Sequence, residues 1–210
     1  MIELELKYEL TTIPTSVTDL KIIKKKNQED IYYDTPNYDL IRGGNFLRIR
    51  NNKRLEFKLF AGDTSHLFCE ETDFELDEIT SNQQQINSIL SSINLKTVEN
   101  LNSFEQIVTI NNLEVLAPII KSRTSYKFNN YSTISIDQVD NLGLFLEAEI
   151  MIDKESLSND EANQIKKDFI SDLHNSNILN GNEKSVNIGY VELYLLQHNI
   201  EAYNLGLYKI

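Results

Sequence analysis

Apolar and charged residues alternate strictly at the start of the chain, Ile2, Leu4, Leu6 and Tyr8 against Glu3, Glu5 and Lys7. That period of two predicts a strand with one charged face. Ile31-Tyr32-Tyr33-Asp34-Thr35-Pro36 reads as a second strand, stopped by proline. Phe46 to Ile49 puts Arg48 and Arg50 on one side, and Arg54 to Leu59 puts Arg54, Glu56 and Lys58 opposite Leu55, Phe57 and Leu59. Asn51-Asn52-Lys53 between them predicts a tight hairpin turn. Further strands are predicted from Leu67 to Leu76, Ile119 to Phe128, Ser132 to Gln138 and Leu144 to Ile152, the last two joined by a turn at Asn141 to Gly143. In these, Lys121, Arg123, Ser125 and Lys127 share a face, as do Thr133, Ser135 and Asp137, and Phe145, Glu147 and Glu149.

Helical spacing appears elsewhere. Val17 to Lys26 reads as a short basic-ended helix, with Lys24, Lys25 and Lys26 as its solvated end. Asp77 to Ile93 carries Ile79, Ile86, Ile89, Leu90 and Ile93 at helical intervals. Ser158 to Leu173 predicts an amphipathic helix opened by Ser158 or Asn159, with Glu161 in its first turn. Two short helices are expected after Lys184 and after Ile200, and Lys96 to Pro118 is expected to be a mixed helical and irregular connection.

Eight strands joined mostly by hairpins suit a closed antiparallel barrel in an α+β fold, which removes exposed sheet edges. Two orientations are open. In the ordinary one, the charged strand faces meet water. In the other, the helices lay their apolar stripes over the outside and the charged faces line a tunnel.

The 210 residues fit one domain, residues 1–210, with strands mainly within 2–152 and helices within 158–210. A formal net charge of −12 argues against a broad basic surface for nucleic-acid polymers, while leaving room for a local anion pocket. The single cysteine, Cys69, supports no intramolecular disulfide framework and reads as an inert thiol. The N-terminal alternation lacks the apolar run of a signal peptide, and no later run reaches bilayer length. The expectation is a cytoplasmic protein with no membrane partner, monomer or homodimer. His66, in a predicted loop, reads as solvated, and Tyr32, Tyr33 and Pro36 as packing residues of the wall.

Composition within the charged faces favours the tunnel orientation. Glu3 with Glu5, and Glu147 with Glu149, are carboxylate pairs two residues apart on one strand face. Such pairs suit Mg²⁺ or Mn²⁺, hard ions that take oxygen ligands and keep phosphate oxygens as partners. Arg48, Arg50, Lys58 and Arg123 supply forked guanidinium and point ammonium charges of the kind that hold phosphates.

The start IELELK carries Glu3-x-Glu5-x-Lys7, followed in order by YYDTPNYDL, FLRIR, LEFKL, a Glu-rich strand, KSRTSY, ISIDQ and GLFLEAEI. That succession, over residues 2 to about 152, resembles the CYTH domain superfamily of triphosphate tunnel metalloenzymes. The resemblance implies an eight-stranded antiparallel tunnel with a charged interior, helices outside, and metal-dependent phosphoryl chemistry. It implies Glu3, Glu5, Glu147 and Glu149 as metal ligands, with Asp137 among the acidic positions, and Lys7 beside the phosphates. Arg48, Arg50, Lys58 and Arg123 match the phosphate clamps, and Lys184 matches a lysine that reaches over one tunnel mouth. A further acid is expected at Glu70 or Glu71, which point to opposite faces; Glu70 is preferred by its spacing to Thr72, and strand parity is the test. The implied activity is metal-dependent hydrolysis of a small triphosphate, inorganic triphosphate or thiamine triphosphate. A class IV adenylyl cyclase and a non-catalytic polyphosphate-binding module are the alternatives.

Overall fold

The computed structural model describes residues 2–60, 69–154 and 157–207, with the side chains of Glu3, Cys69 and Glu70 outside that description. His66 and the first two residues of the strand predicted from Leu67 also lie outside the described residues. In chain order the elements are β1 (Ile2–Leu10), α1 (Thr15–Thr18), β2 (Lys21–Asp34), α2 (Asp39–Arg42), β3 (Phe46–Arg50), β4 (Arg54–Phe60) and β5 (Cys69–Glu75). A 3-10 turn at Leu76–Glu78 leads to α3 (Gln83–Ser92), α4 (Phe104–Asn111), β6 (Glu114–Lys127), β7 (Ser132–Val139) and β8 (Gly143–Ile152). The chain then forms α5 (Asn159–Asn175), β9 (Lys184–Ser185), α6 (Tyr190–His198) and α7 (Ile200–Leu205).

The α+β class and the large antiparallel sheet are as the alternation predicts. The sheet has nine strands in the order β5-β4-β3-β2-β6-β7-β8-β1-β9. Eight of them are the predicted strands; the ninth is Lys184–Ser185, which adds to the edge of β1 opposite Tyr8 and Glu9. The end strands β5 and β9 are not hydrogen-bonded to each other among the described residues, so backbone pairing does not close the sheet as expected.

The expected basic helix over Val17 to Lys26 is corrected. Only Thr15–Thr18 is helical, and Lys24, Lys25 and Lys26 lie in β2. Ile22 and Ile23 are β-branched neighbours with no apolar partner three or four residues on, so strand pairing wins over helix. The helix expected from Asp77 starts only at Gln83, behind the 3-10 turn. The unassigned stretch before Pro118 contains α4 and the start of β6. At the β3–β4 hairpin, Asn51 and Asn52 both take left-handed φ, 53° and 52°, which asparagine tolerates better than other residues with a Cβ.

The chain forms two compact units, one of Met1–Asn27 with Ile120–Gly189 and the other of Gln28–Ile119 with Tyr190–Ile210. In the first, Tyr8, Leu10, Tyr126, Ile134, Ile136, Leu146 and Ala148 present one sheet face to Phe169 and Leu173 of α5. In the second, Leu47, Ile49, Leu55, Phe57 and Phe74 pack with Ile86 and Leu90 of α3 and Phe104 and Ile107 of α4. In each unit the helices therefore cover the apolar strand parity, leaving the charged residues on the other face. Among the described residues no helix is long and apolar enough to cross a membrane.

The YYDTP motif contributes one structural device of its own. The buried Asp34 carboxylate accepts from the backbone N–H groups of Thr35 at 2.7 Å, Leu40 at 2.9 Å and Ile41 at 3.0 Å, gathering the turn and α2 around one side chain. Burial pushes its carboxyl above the usual range, and the three N–H donors offset that only in part. Asp34→Ala removes the acceptor for buried donors and is expected to lower unfolding stability by about 1–3 kcal/mol in denaturant titration. The exposed Asp39→Ala, which loses a bond to Thr35 Oγ1, is expected to change it much less.

Candidate active site

In the first unit, four adjacent strands bring the charged parity together. The register sets Glu5 opposite Glu149 and Lys7 opposite Glu147 across β1 and β8. Arg123 lies opposite Asp137 across β6 and β7, and Ser135 opposite Glu147 across β7 and β8. Arg123 is the hub. Its Nε donates to Asp137 Oδ1 at 2.6 Å, its Nη2 donates to Asp137 and Glu147, and its Nη1 lies 3.5 Å from Glu149 Oε1. Lys121 Nζ is 2.9 Å from Asp137 Oδ2, and Lys7 Nζ is 3.0 Å from Glu5 and 3.3 Å from Glu147.

Burial and charge oppose each other at Lys7, Lys121, Asp137 and Glu147. Desolvation disfavours the ionised forms of Asp137 and Glu147, yet the cations beside them reverse it and hold both carboxyls below the usual range. For Asp137 these are Arg123 and Lys121; for Glu147 they are Lys7, Arg123 and Lys121. Burial likewise works against the Lys7 ammonium, but Glu5 and Glu147 raise it above its ordinary value. At Lys121 burial prevails, and the ammonium is pulled down despite Glu147 and Asp137.

Glu5, Glu147 and Glu149 each offer a carboxylate oxygen, all within 4.8 Å of one another, the one metal-compatible group of three among the described residues. Three converging carboxylates are the donor set of a hard divalent cation. Asp137, expected among the acids of the metal site, is instead fully buried, with both oxygens bonded to Arg123 and Lys121. Glu3 lies on β1 opposite Met151, its side chain outside the description.

The second unit carries another charged face. Asp30 lies opposite Arg50 and Tyr32 opposite Arg48 across β2 and β3, and Arg48 opposite Glu56 across β3 and β4. Arg50 grips Asp30 with Nε at 2.8 Å and Nη2 at 3.1 Å, while Arg48 donates to Glu56 from Nε at 2.8 Å and to the Tyr32 hydroxyl from Nη1 at 2.6 Å. Tyr32 packs as expected, buried and edge-on to Phe46 at 6.1 Å, but its hydroxyl also joins the charged face; Tyr33 packs edge-on to Phe104 at 5.0 Å. Burial would raise the Asp30 carboxyl, but Arg50 and Arg48 hold it below the usual range.

Lys58 and Lys184 are outside these clusters. Lys58 is half-exposed, 3.3 Å from Glu71, and Lys184 is largely exposed, 3.7 Å from Glu9. The register sets Glu71 opposite Lys58 and Glu70 opposite Leu59. By parity Glu71 shares the charged face of β4, while the side chain of the preferred Glu70 lies outside the description.

Four residues absent from the expected set are central here: Lys121, Asp30, Tyr32 and Glu56. Each had a signal in the sequence. Lys121 shares the parity of Arg123, Glu56 that of Lys58, and Gln28 and Asp30 alternate into Tyr32, the first residue of the YYDTP motif.

The CYTH domain model matches residues 1–179. A Methanocaldococcus jannaschii protein provisionally named an adenylate cyclase is 30% identical over 154 residues, 71% of this chain and 77% of that protein. Among solved structures, a Pyrococcus horikoshii OT3 protein is similar with a TM-score of 0.60 and 24% identity, covering 93% of this chain and 99% of its own. A Hippeastrum protein, provisionally named an adenylyl cyclase and described as having a dominant triphosphatase activity, is similar with a TM-score of 0.58 and 18% identity, covering 93% and 96%. At these identities the two structures show a shared fold.

Asp30 gives the second unit a signed pH response. Because its folded pKa is depressed, its contribution is present above the unfolded value of about 3.9 and is lost as pH falls through the folded value. Asp30→Asn is expected to lower stability at pH 7 by up to about 3 kcal/mol. In thermal melts across pH, the gap from the unaltered protein should narrow below about pH 4.

Proposed function

The chain belongs to the CYTH domain family, a family of triphosphate-processing enzymes that use divalent metal ions, and from that premise we propose that it is a metal-dependent triphosphatase. The observation that carries the reading is the convergence of Glu5, Glu147 and Glu149 beside Lys7, Lys121 and Arg123 on one strand face.

The donor set fits Mg²⁺ or Mn²⁺: oxygen ligands only, negatively charged, and close enough to share one ion. Glu5, Glu147 and Glu149 would hold it, and a bound cation supplies charge neutralisation at phosphate oxygens. The rest of the chemistry belongs to the chain. Arg123 is held in place by its paired bonds to Asp137, so release from Glu147 and Glu149 would free the outer edge of its fork for phosphate. Asp137 is thus a positioning residue in this reading, not a ligand. Lys7 bridges Glu5 and Glu147 and favours the ionised form of Glu147, while Lys121 adds positive charge next to Asp137. In the second unit Arg48 and Arg50 are phosphate-binding guanidiniums, with Lys58 and Glu71 at the exposed margin of their face.

Inorganic triphosphate is the favoured substrate, with thiamine triphosphate second. The name of the Methanocaldococcus jannaschii relative favours a cyclase reading instead, in which the ribose hydroxyl of ATP attacks the α-phosphorus and pyrophosphate leaves.

Phosphate release from tripolyphosphate, thiamine triphosphate and ATP, with Mg²⁺ or Mn²⁺ and with a chelator, separates these readings when cyclic AMP is followed in parallel. Metal-dependent release from tripolyphosphate is the expected result. Cyclic AMP without phosphate release would establish the cyclase, and no product from any of them would leave a binding module. Glu5→Gln and Glu147→Gln are each expected to lower kcat/KM by about 100-fold or more, whereas Arg48→Ala should act mainly through a raised KM. Unchanged hydrolysis in both carboxylate variants would sink the metal assignment.

A further inference from the structure

The charged face of the second unit closes into a ring of alternating sign. Asp30 binds Arg50, Arg50 Nη1 lies 3.1 Å from Glu56 Oε1, Glu56 Oε2 accepts from Arg48, and Arg48 Nη1 lies 3.4 Å from Asp30 Oδ2. Two carboxylates and two guanidiniums give the ring a net charge of zero. As it stands, it has no excess positive charge to offer an anion.

The two carboxylates are held differently. Asp30 is almost wholly buried, gripped through both oxygens by Arg50, and Gln28 Nε2 donates to it at 2.7 Å. Glu56 is held less well. Its Oε2 takes both contacts from Arg48, Nε at 2.8 Å and Nη2 at 2.7 Å, and its Oε1 accepts no hydrogen bond among the described residues although Arg50 Nη1 is near. A carboxylate lying against two guanidiniums through off-angle and shared contacts occupies the place a phosphate would take.

We propose that Glu56 is a built-in competitor of the phosphate, occupying Arg48 and Arg50 until an anion displaces it, while Asp30 is the permanent holder that orients the pair. This rests on the reading of Arg48 and Arg50 as phosphate-binding residues. Glu56 thereby sets an affinity threshold. A monovalent or weakly charged anion does not displace it, and a polyphosphate does, so the residue selects by ligand charge.

Tripolyphosphate and orthophosphate binding to the full chain, measured by calorimetry in chelator so that no turnover intervenes, tests this. Glu56→Gln keeps the shape and removes the charge; Glu56→Thr is a second neutral choice whose β-branched side chain suits a strand. Either folded variant is expected to bind tripolyphosphate about tenfold more tightly than the unaltered protein, with a steeper loss of affinity as salt rises. The discrimination between tripolyphosphate and orthophosphate should shrink at the same time. A merely structural role for Glu56 would leave the salt dependence unchanged or weaken binding. Equal or weaker binding by the neutral variants overturns the competitor role, and so does an absence of binding by all three proteins. Metal-dependent phosphate release by the unaltered protein, which needs no gain in affinity, continues to judge the proposed function separately.

Discussion

Buried charges of opposite sign on strand faces that helices leave uncovered are the constraint on which this structure turns. A carboxylate such as Asp137, with no exposure to water, is tolerated because Arg123 and Lys121 satisfy both its oxygens. Removing Arg123 would take the paired guanidinium contact from Asp137 in a dry environment. The same holds for Asp30 with Arg48 and Arg50 in the other unit. The price of such burial is met only when the geometry is good, and the sheet register provides it, setting each acid beside its base on the neighbouring strand.

That constraint also connects fold to chemistry. Strand alternation sorts each β-strand into an apolar and a charged parity, and the helices select which parity is covered. In the first unit α5 covers Tyr8, Ile134 and Leu146, so their neighbours Lys7, Ser135 and Glu147 must face the other way. In the proposed triphosphatase, this face of three convergent acids and three bases would exchange partners, its carboxylates passing from lysine and arginine to a metal ion and its cations to phosphate.

Much of this was legible in the chain because period-two patterning reports side-chain direction directly. Glu5, Lys7, Arg123, Glu147 and Glu149 all occupy the parity their alternation implies. Pairing partners were harder to read, because register depends on strands far apart in sequence. Hence Asp137 was expected with the metal-site acids, although its position opposite Arg123 makes it a holder of that arginine. The choice between Glu70 and Glu71 turned on a one-residue shift, which only the pairing of β4 with β5 resolves. Lys24 to Lys26 looked like a helix end because a charge run carries no period of its own. The ninth strand, only Lys184 and Ser185, is too short to announce itself in any pattern.

In the proposed triphosphatase, Glu5, Glu147 and Glu149 hold a divalent ion next to Arg123. Anomalous diffraction from crystals grown with Mn²⁺ and tripolyphosphate tests it most directly. The expected result is an anomalous peak at about 2.0–2.2 Å from oxygens of these three carboxylates, with Arg123 released from Glu147 toward phosphate. Peaks located only elsewhere, with Arg123 still bound to Glu147 while tripolyphosphate occupies the protein, would contradict it.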